Sequence, residues 1–181
     1  VVLLAKAGNF TITYTLNKSM KKKITIKRML IGLILLLVIF QLFRIDKTNP
    51  ATDIKQDFLS ITNAAAEVRT VLKSSCYDCH SNEVIYPWYT NIAPVSWWIK
   101  HHINEGTRHL NFSIWGTYKS RKADKKLKEC IENIEADEMP MSSYTLIHSG
   151  AKLSSEGKTT LISWFNSLRT YESDKAKDKQ E

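Results

Sequence analysis

Residues 74–89 read SSCYDCHSNEVIYPWY, with Cys76 and Cys79 three apart and His80 directly after the second cysteine. Closely spaced thiols serve zinc sites, dithiol redox enzymes, short-loop disulfides and covalent haem attachment. A structural zinc site takes four ligands, commonly from two knuckles. Here the third cysteine, Cys130, stands alone, and His101, His102, His109 and His148 lack knuckle spacing. A dithiol oxidoreductase places its pair at a helix start after a strand, whereas a helical pattern precedes this pair. A plain disulfide suits an oxidising compartment but leaves His80 without a role. Covalent haem uses all three residues. Each thiol adds to one porphyrin vinyl group, and His80 presents an imidazole nitrogen to the iron as proximal ligand. The cofactor expected from the motif is one covalently bound haem c.

Such a haem commonly has a second axial ligand, and methionine in that place raises its potential. Met139, directly before Pro140, is the expected distal iron ligand. Proline fixes its own backbone and pushes Met139 towards an extended conformation. Met141, His102 and an open position are the alternatives, and both methionines also suit packing against a haem edge. His101 and His102 stand beside Trp97 and Trp98, where a hydrogen-bonded structural role is the simpler reading. His148 reads as a loop residue bonding backbone groups. Tyr86, Pro87, Trp88 and Tyr89, with Trp97 and Trp98, form an aromatic set suited to walling one side of the haem. Cys130 reads as a buried free thiol. No side chain in this reading does catalytic chemistry, so the protein is not expected to be an enzyme.

The elements that must position these residues are helical, and no sustained alternation marks a strand. One helix is expected over residues 63–75, capped by Asn63, with Ala64, Val68, Val71 and Leu72 on one face. A second is expected over residues 93–106, with Pro94 in its first turn and Gly106 as its stop. A third, over residues 122–137, carries Leu127, Cys130, Ile131 and Ile134 as one apolar stripe. A fourth begins at Ser154 as N-cap and carries Leu161, Ile162, Trp164, Phe165 and Leu168. The loops at 81–93, 107–119 and 138–153 are long for a small all-α domain, and a buried cofactor gives them something to wrap.

The chain has 181 residues and a formal charge of +8. All of that excess lies in residues 1–44, which hold Lys6, Lys18, Lys21, Lys22, Lys23, Lys27, Arg28 and Arg44 and no acidic residue. The remainder is formally neutral, which argues against nucleic acid as a partner. Five basic residues within 21–28 precede an apolar run over residues 29–43. That run is shorter than the ~20 residues of a typical bilayer-spanning helix, but Ile45 lengthens it, and Lys27, Arg28 and Arg44 can snorkel. The basic side should remain cytoplasmic. A single-pass anchor in the inner membrane, with the following domain facing the periplasm, is the expected arrangement. A cleaved signal would want small residues after the run, yet Phe40, Gln41, Leu42, Phe43 and Arg44 follow.

Residues 1–19 do not fit an export signal, and Met20 begins one cleanly. The expected organisation is therefore a mis-assigned extension or disordered segment over 1–19, and a basic flank with transmembrane anchor over 20–45. A linker over 46–57, a haem domain over 58–172 and a disordered tail over 173–181 complete it.

Two stretches, CYDCHSNEVIYPWYTNIAPVSWWIKHHINEGTRHLNFSIW and EMPMSSYTLIHSGAKLSSEGKTTLISWF, resemble a family of bacterial haem-binding-domain proteins related to c-type cytochromes. With the preceding helix they cover most of residues 57–168. The resemblance implies a small cytochrome c-like helical domain around one haem, carried by Cys76, Cys79 and His80, behind a single-pass anchor. Its Met-Pro step matches Met139 and Pro140. Many relatives have a second proline where Met141 stands here, and acidic residues where this chain has Ser155, Glu156 and Gly157. The redox partner is not identified by the resemblance.

Overall fold

The computed structural model describes residues 10–177, with side chains over 25–169. The described residues are all-α, without strands: α1 Phe10–Phe40, α2 Phe58–Ile61, α3 Ala66–Ser75, α4 Tyr77–His80, α5 Val95–His109, α6 Ser120–Glu135, α7 Ser142–Thr145 and α8 Ser155–Lys177. Three 3₁₀ turns, Trp88–Asn91, Phe112–Thr117 and Ser149–Ala151, interrupt what the sequence reads as long loops. Of the expected extension, residues 1–9 lie outside the described residues. At the other end α8 continues through Lys177, past the expected start of a disordered tail, and residues 178–181 again lie outside.

The core forms where the apolar stripes of α6 and α8 meet. Leu127, Ile131 and Ile134 from α6 and Leu161 and Phe165 from α8 are buried together. Arg169 closes this pair at one end, its Nε donating to Asp124 Oδ1 at 2.9 Å. Aromatic rings extend the core towards the cysteine motif. Phe58 stacks on Phe112 at 5.0 Å between centroids, and Phe112 stacks on Tyr77 at 5.2 Å. Trp115 tilts against Phe58 at 4.4 Å. Phe58 is fully buried, and truncating such a ring costs about 3–5 kcal/mol.

Asn63 does not cap a helix. It takes a left-handed φ of 47° beyond the one-turn α2, and α3 starts at Ala66 without a side-chain cap. Asparagine tolerates that region because its short side chain carries little steric penalty there. The cap that forms is Asp57, whose Oδ1 accepts from Leu59 N at 3.0 Å and Ser60 N at 3.3 Å. Ser154 caps α8 as expected, its Oγ accepting from Gly157 N at 3.0 Å.

Residues 46–57, expected as a linker, are strapped to the domain. Asn49 Nδ2 donates to Val84 O at 2.9 Å, and Gly116 N donates to Gln56 O at 3.0 Å. Among the described residues no helix is long and apolar enough to cross a membrane. The apolar part of α1 covers residues 29–40, and Gln41 begins a turn, so the run expected over 29–43 is not one continuous helix.

Candidate functional site

Cys76 sits between α3 and α4, and its carbonyl accepts from both Cys79 N at 3.2 Å and His80 N at 2.9 Å. This single tight turn sets the two thiols one helical turn apart. Tyr77, between them, is buried, and its hydroxyl donates to Asp57 Oδ2 at 3.0 Å. The buried Asp57 carboxylate thus holds the start of the domain and the cysteine turn together. A charge-assisted bond of this kind is stronger than a neutral one. Nothing in the spacing of the cysteines signals that role for Asp57, because the two residues meet only through the fold.

Beyond His80 a buried polar network fixes the chain. Ser81 Oγ donates to Tyr77 O at 2.8 Å, Asn82 N donates to Ser113 Oγ at 3.0 Å, and Asn111 Nδ2 donates to Asn82 Oδ1 at 2.8 Å. Ser113 N returns to Asn111 Oδ1 at 2.9 Å. Each member is satisfied, which makes the segment rigid rather than costly.

His80 Nδ1 lies 3.0 Å from Gly106 O and 3.2 Å from Leu110 O. Carbonyl oxygens only accept, so Nδ1 carries the proton and Nε2 is left with its lone pair for a ligand. Burial lowers the basicity of His80, against the opposing pull of the Leu110 and Gly106 carbonyls. The neutral imidazole, the form that binds a metal, is therefore favoured at neutral pH.

Gly106 is not the stop of its helix, because α5 continues to His109. Its role is close approach. A Cβ at this position would stand 2.5 Å from Cys79 O and 3.2 Å from Cys79 C. Only glycine lets α5 lie flat on the cysteine turn while its own carbonyl receives the His80 proton.

Cys76, Cys79 and His80 line a cavity of about 430 Å³, and Met139, Met141 and His102 line the same cavity. The fold thus brings together residues from α4, α5 and the loop after α6. The lining also includes Cys130, His109, Lys126, Phe112 and Phe165, none of which the sequence assigns to a cavity. Phe112 and Phe165 belong to the core and carry no motif. Lys126 precedes Cys130 by one turn on α6, so helical periodicity alone would have placed it on the cavity side. Its side chain is only 15% exposed and pairs with Glu129 at 2.6 Å.

All three thiols are protonated at neutral pH. Burial, then Cys130 and Cys79, pushes the Cys76 thiol far up. Burial and Asp78 push Cys79 up to about 11, and burial and Glu129 push Cys130 up to about 12. The loop after α6 hangs on fewer bonds. Met139 N donates to Asn133 O at 3.1 Å, and Tyr144 OH donates to Asp78 Oδ2 at 2.7 Å.

The aromatic set does not wall this cavity. Trp88 is 75% exposed, and Trp97 packs against Phe40 at 5.1 Å. Tyr86, Pro87, Tyr89 and Trp98 line a smaller neighbouring pocket of about 110 Å³ instead. His148 bonds the Tyr89 hydroxyl at 2.5 Å and stacks on Tyr144 at 4.3 Å, so its polar partner is a side chain rather than backbone.

A family model described as a haem-binding domain matches residues 35–167. The chain belongs to the haem-binding-domain family. No curated protein and no solved structure matches it. The residues of this haem-binding domain fit the group that the family binds. The cavity is largely apolar, three thiols line it, two of them on the turn that carries His80, and the His80 imidazole has its outer nitrogen already held. Among the described residues Lys126 is the only lysine or arginine in the lining, a suitable partner for a propionate.

Proposed function

We propose that this haem-binding domain is a monohaem c-type cytochrome, anchored in the inner membrane by a single pass, facing the periplasm and transferring single electrons. The observation that carries the reading is His80 Nδ1 held by the Gly106 and Leu110 carbonyls, beside two protonated thiols on one cavity. Bound haem supplies a one-electron iron couple. Cys76 and Cys79 would hold it through thioethers, each S–H adding across a vinyl C=C with sulfur on one carbon and the hydrogen on the other. His80 through Nε2 and Met139 through its sulfur are the residues that would hold the iron. The fixed hydrogen bonds around His80 keep its ring orientation constant in both oxidation states. No side chain performs catalysis in this role. The neutral domain suits a redox partner that is not steered by a strong charge field.

One observation favours a second reading. His102 Nδ1 bonds Trp98 O at 2.8 Å, which leaves its Nε2 as the lone-pair nitrogen, as at His80. His102 therefore competes with Met139 for the iron. In an open-site haem sensor or peroxidase-like enzyme it would serve as an acid–base group. A structural haem subunit of a membrane complex is a further form of the same fold.

Haem staining after denaturing electrophoresis tests the covalent claim, and visible spectroscopy tests the sixth ligand. A weak near-red charge-transfer band in the oxidised protein, lost in Met139→Ala, supports electron transfer with methionine ligation. A high-spin spectrum that shifts on adding carbon monoxide or peroxide overturns it in favour of the open site.

A further inference from the structure

The end of α1 is bolted to one face of the domain. The Gln41 amide makes two bonds to one residue, Nε2 donating to Ala93 O at 2.9 Å and Oε1 accepting from Ala93 N at 3.0 Å. Trp97 Nε1 donates to Phe43 O at 2.8 Å, and Phe40 packs on the Trp97 ring. Around this joint the domain exposes large apolar side chains: Trp88 at 75%, Ile85 at 73%, Trp98 at 50%, Val95 at 46% and Ile92 at 45%. None of them serves the haem cavity.

The apolar part of α1 is 12 residues long. At about 1.5 Å per residue that is roughly 18 Å, short of a hydrocarbon core of about 30 Å. A short apolar stretch is accommodated by drawing its flanks towards the bilayer. The flank here is this face, and its chemistry suits the headgroup level. Tryptophan and tyrosine are enriched there because one end of each is apolar and the other polar. Lys47 and Lys100 gather at the Tyr86 ring, Lys100 Nζ donating to Tyr86 OH at 3.0 Å. Arg44 is exposed beside them, and Asp46 is the acidic neighbour. Basic groups at this level favour anionic phospholipid.

We propose that residues 85–98 rest on the phospholipid surface, so that the domain is held to the bilayer by two contacts, the anchor and this aromatic face. The inference rests on the anchor reading given under the proposed function. It fixes the orientation of the domain: the start of α5 lies on the membrane, and the cysteine turn and His80 lie towards the other end of that helix.

The full-length chain in vesicles of zwitterionic and anionic phospholipid, carrying an acyl-chain diazirine near the headgroups, tests it by photolabelling and peptide mapping. Lipid adducts are expected on residues 85–98 as well as on residues 29–43. Adducts on 29–43 alone overturn the proposal and leave the anchor standing. Adducts on neither overturn both. In the double variant Trp88→Glu, Val95→Glu, labelling of 85–98 should fall severalfold while labelling of 29–43 and the haem spectrum stay unchanged. Undiminished labelling of 85–98 in that variant also overturns the proposal.

Discussion

The two sides of the haem cavity are built to different standards. On one side the cysteine turn is held from four directions: Tyr77 into Asp57 and the aromatic column, His80 into the Gly106 and Leu110 carbonyls, Ser81 and Asn82 into a closed polar network, and Cys79 against Gly106. On the other, Met139, Met141 and Tyr144 belong to a loop and a one-turn helix, with Met139 N on Asn133 O and Tyr144 OH on Asp78 as its main ties. A position fixed by many mutually dependent contacts admits one geometry. A position hung from few admits several.

That contrast can be broken first at the cysteine turn. Replacing both Cys76 and Cys79 by alanine should abolish covalent haem, read as complete loss of stain after denaturing electrophoresis, whereas no single change in the loop after α6 should do so. Retention of stain would remove the basis for the comparison. Gly106→Ala should be the next most severe change. It drives a methyl group into the Cys79 carbonyl, so either α5 or the cysteine turn must shift, at about 1–3 kcal/mol. Thermal denaturation should show that loss, and haem yield should drop with it; a variant with wild-type melting and loading would mean that the contact is tolerated.

Met139→Ala should keep the covalent haem and lower the midpoint potential, a part of the roughly 0.8 V range that axial ligands govern. His102→Ala should leave the potential near that of the wild type. The reverse pattern would transfer the distal role to His102. Tyr144→Phe should have the smallest effect, about 1 kcal/mol for one hydrogen bond, with faster amide exchange confined to the loop after α6. An equal loosening around His80 would show that the two sides are less separate than their bonding suggests.

The difference between the sides also explains what the sequence disclosed. Cys76, Cys79 and His80 are neighbours in the chain, so their spacing is itself the geometry. The α6 stripe of Leu127, Ile131 and Ile134, and the Ser154 cap, are equally local and equally readable. Asp57 and Gly106 are different. Asp57 acts on Tyr77 and Gly106 on Cys79, each about 20 or more positions away in the chain, and neither residue type nor local period announces the partner. Gly106 was even readable in the wrong sense, since a glycine near a helix end has two uses, to stop the helix or to admit another backbone. The aromatic residues at 86–98 were read as a wall for the cofactor because both a buried cofactor and a bilayer call for the same side chains.

One bond joins the two regions. Tyr144 reaches Asp78, the residue directly before Cys79, and so pins the loop after α6 to the cysteine turn. Elsewhere on the lining His109, Glu105 and Glu129 are partly exposed, while Lys126 is only 15% exposed. Through the Tyr144 bond the loop and the cysteine turn are one mechanical piece, so that a displacement set at either is passed to the other.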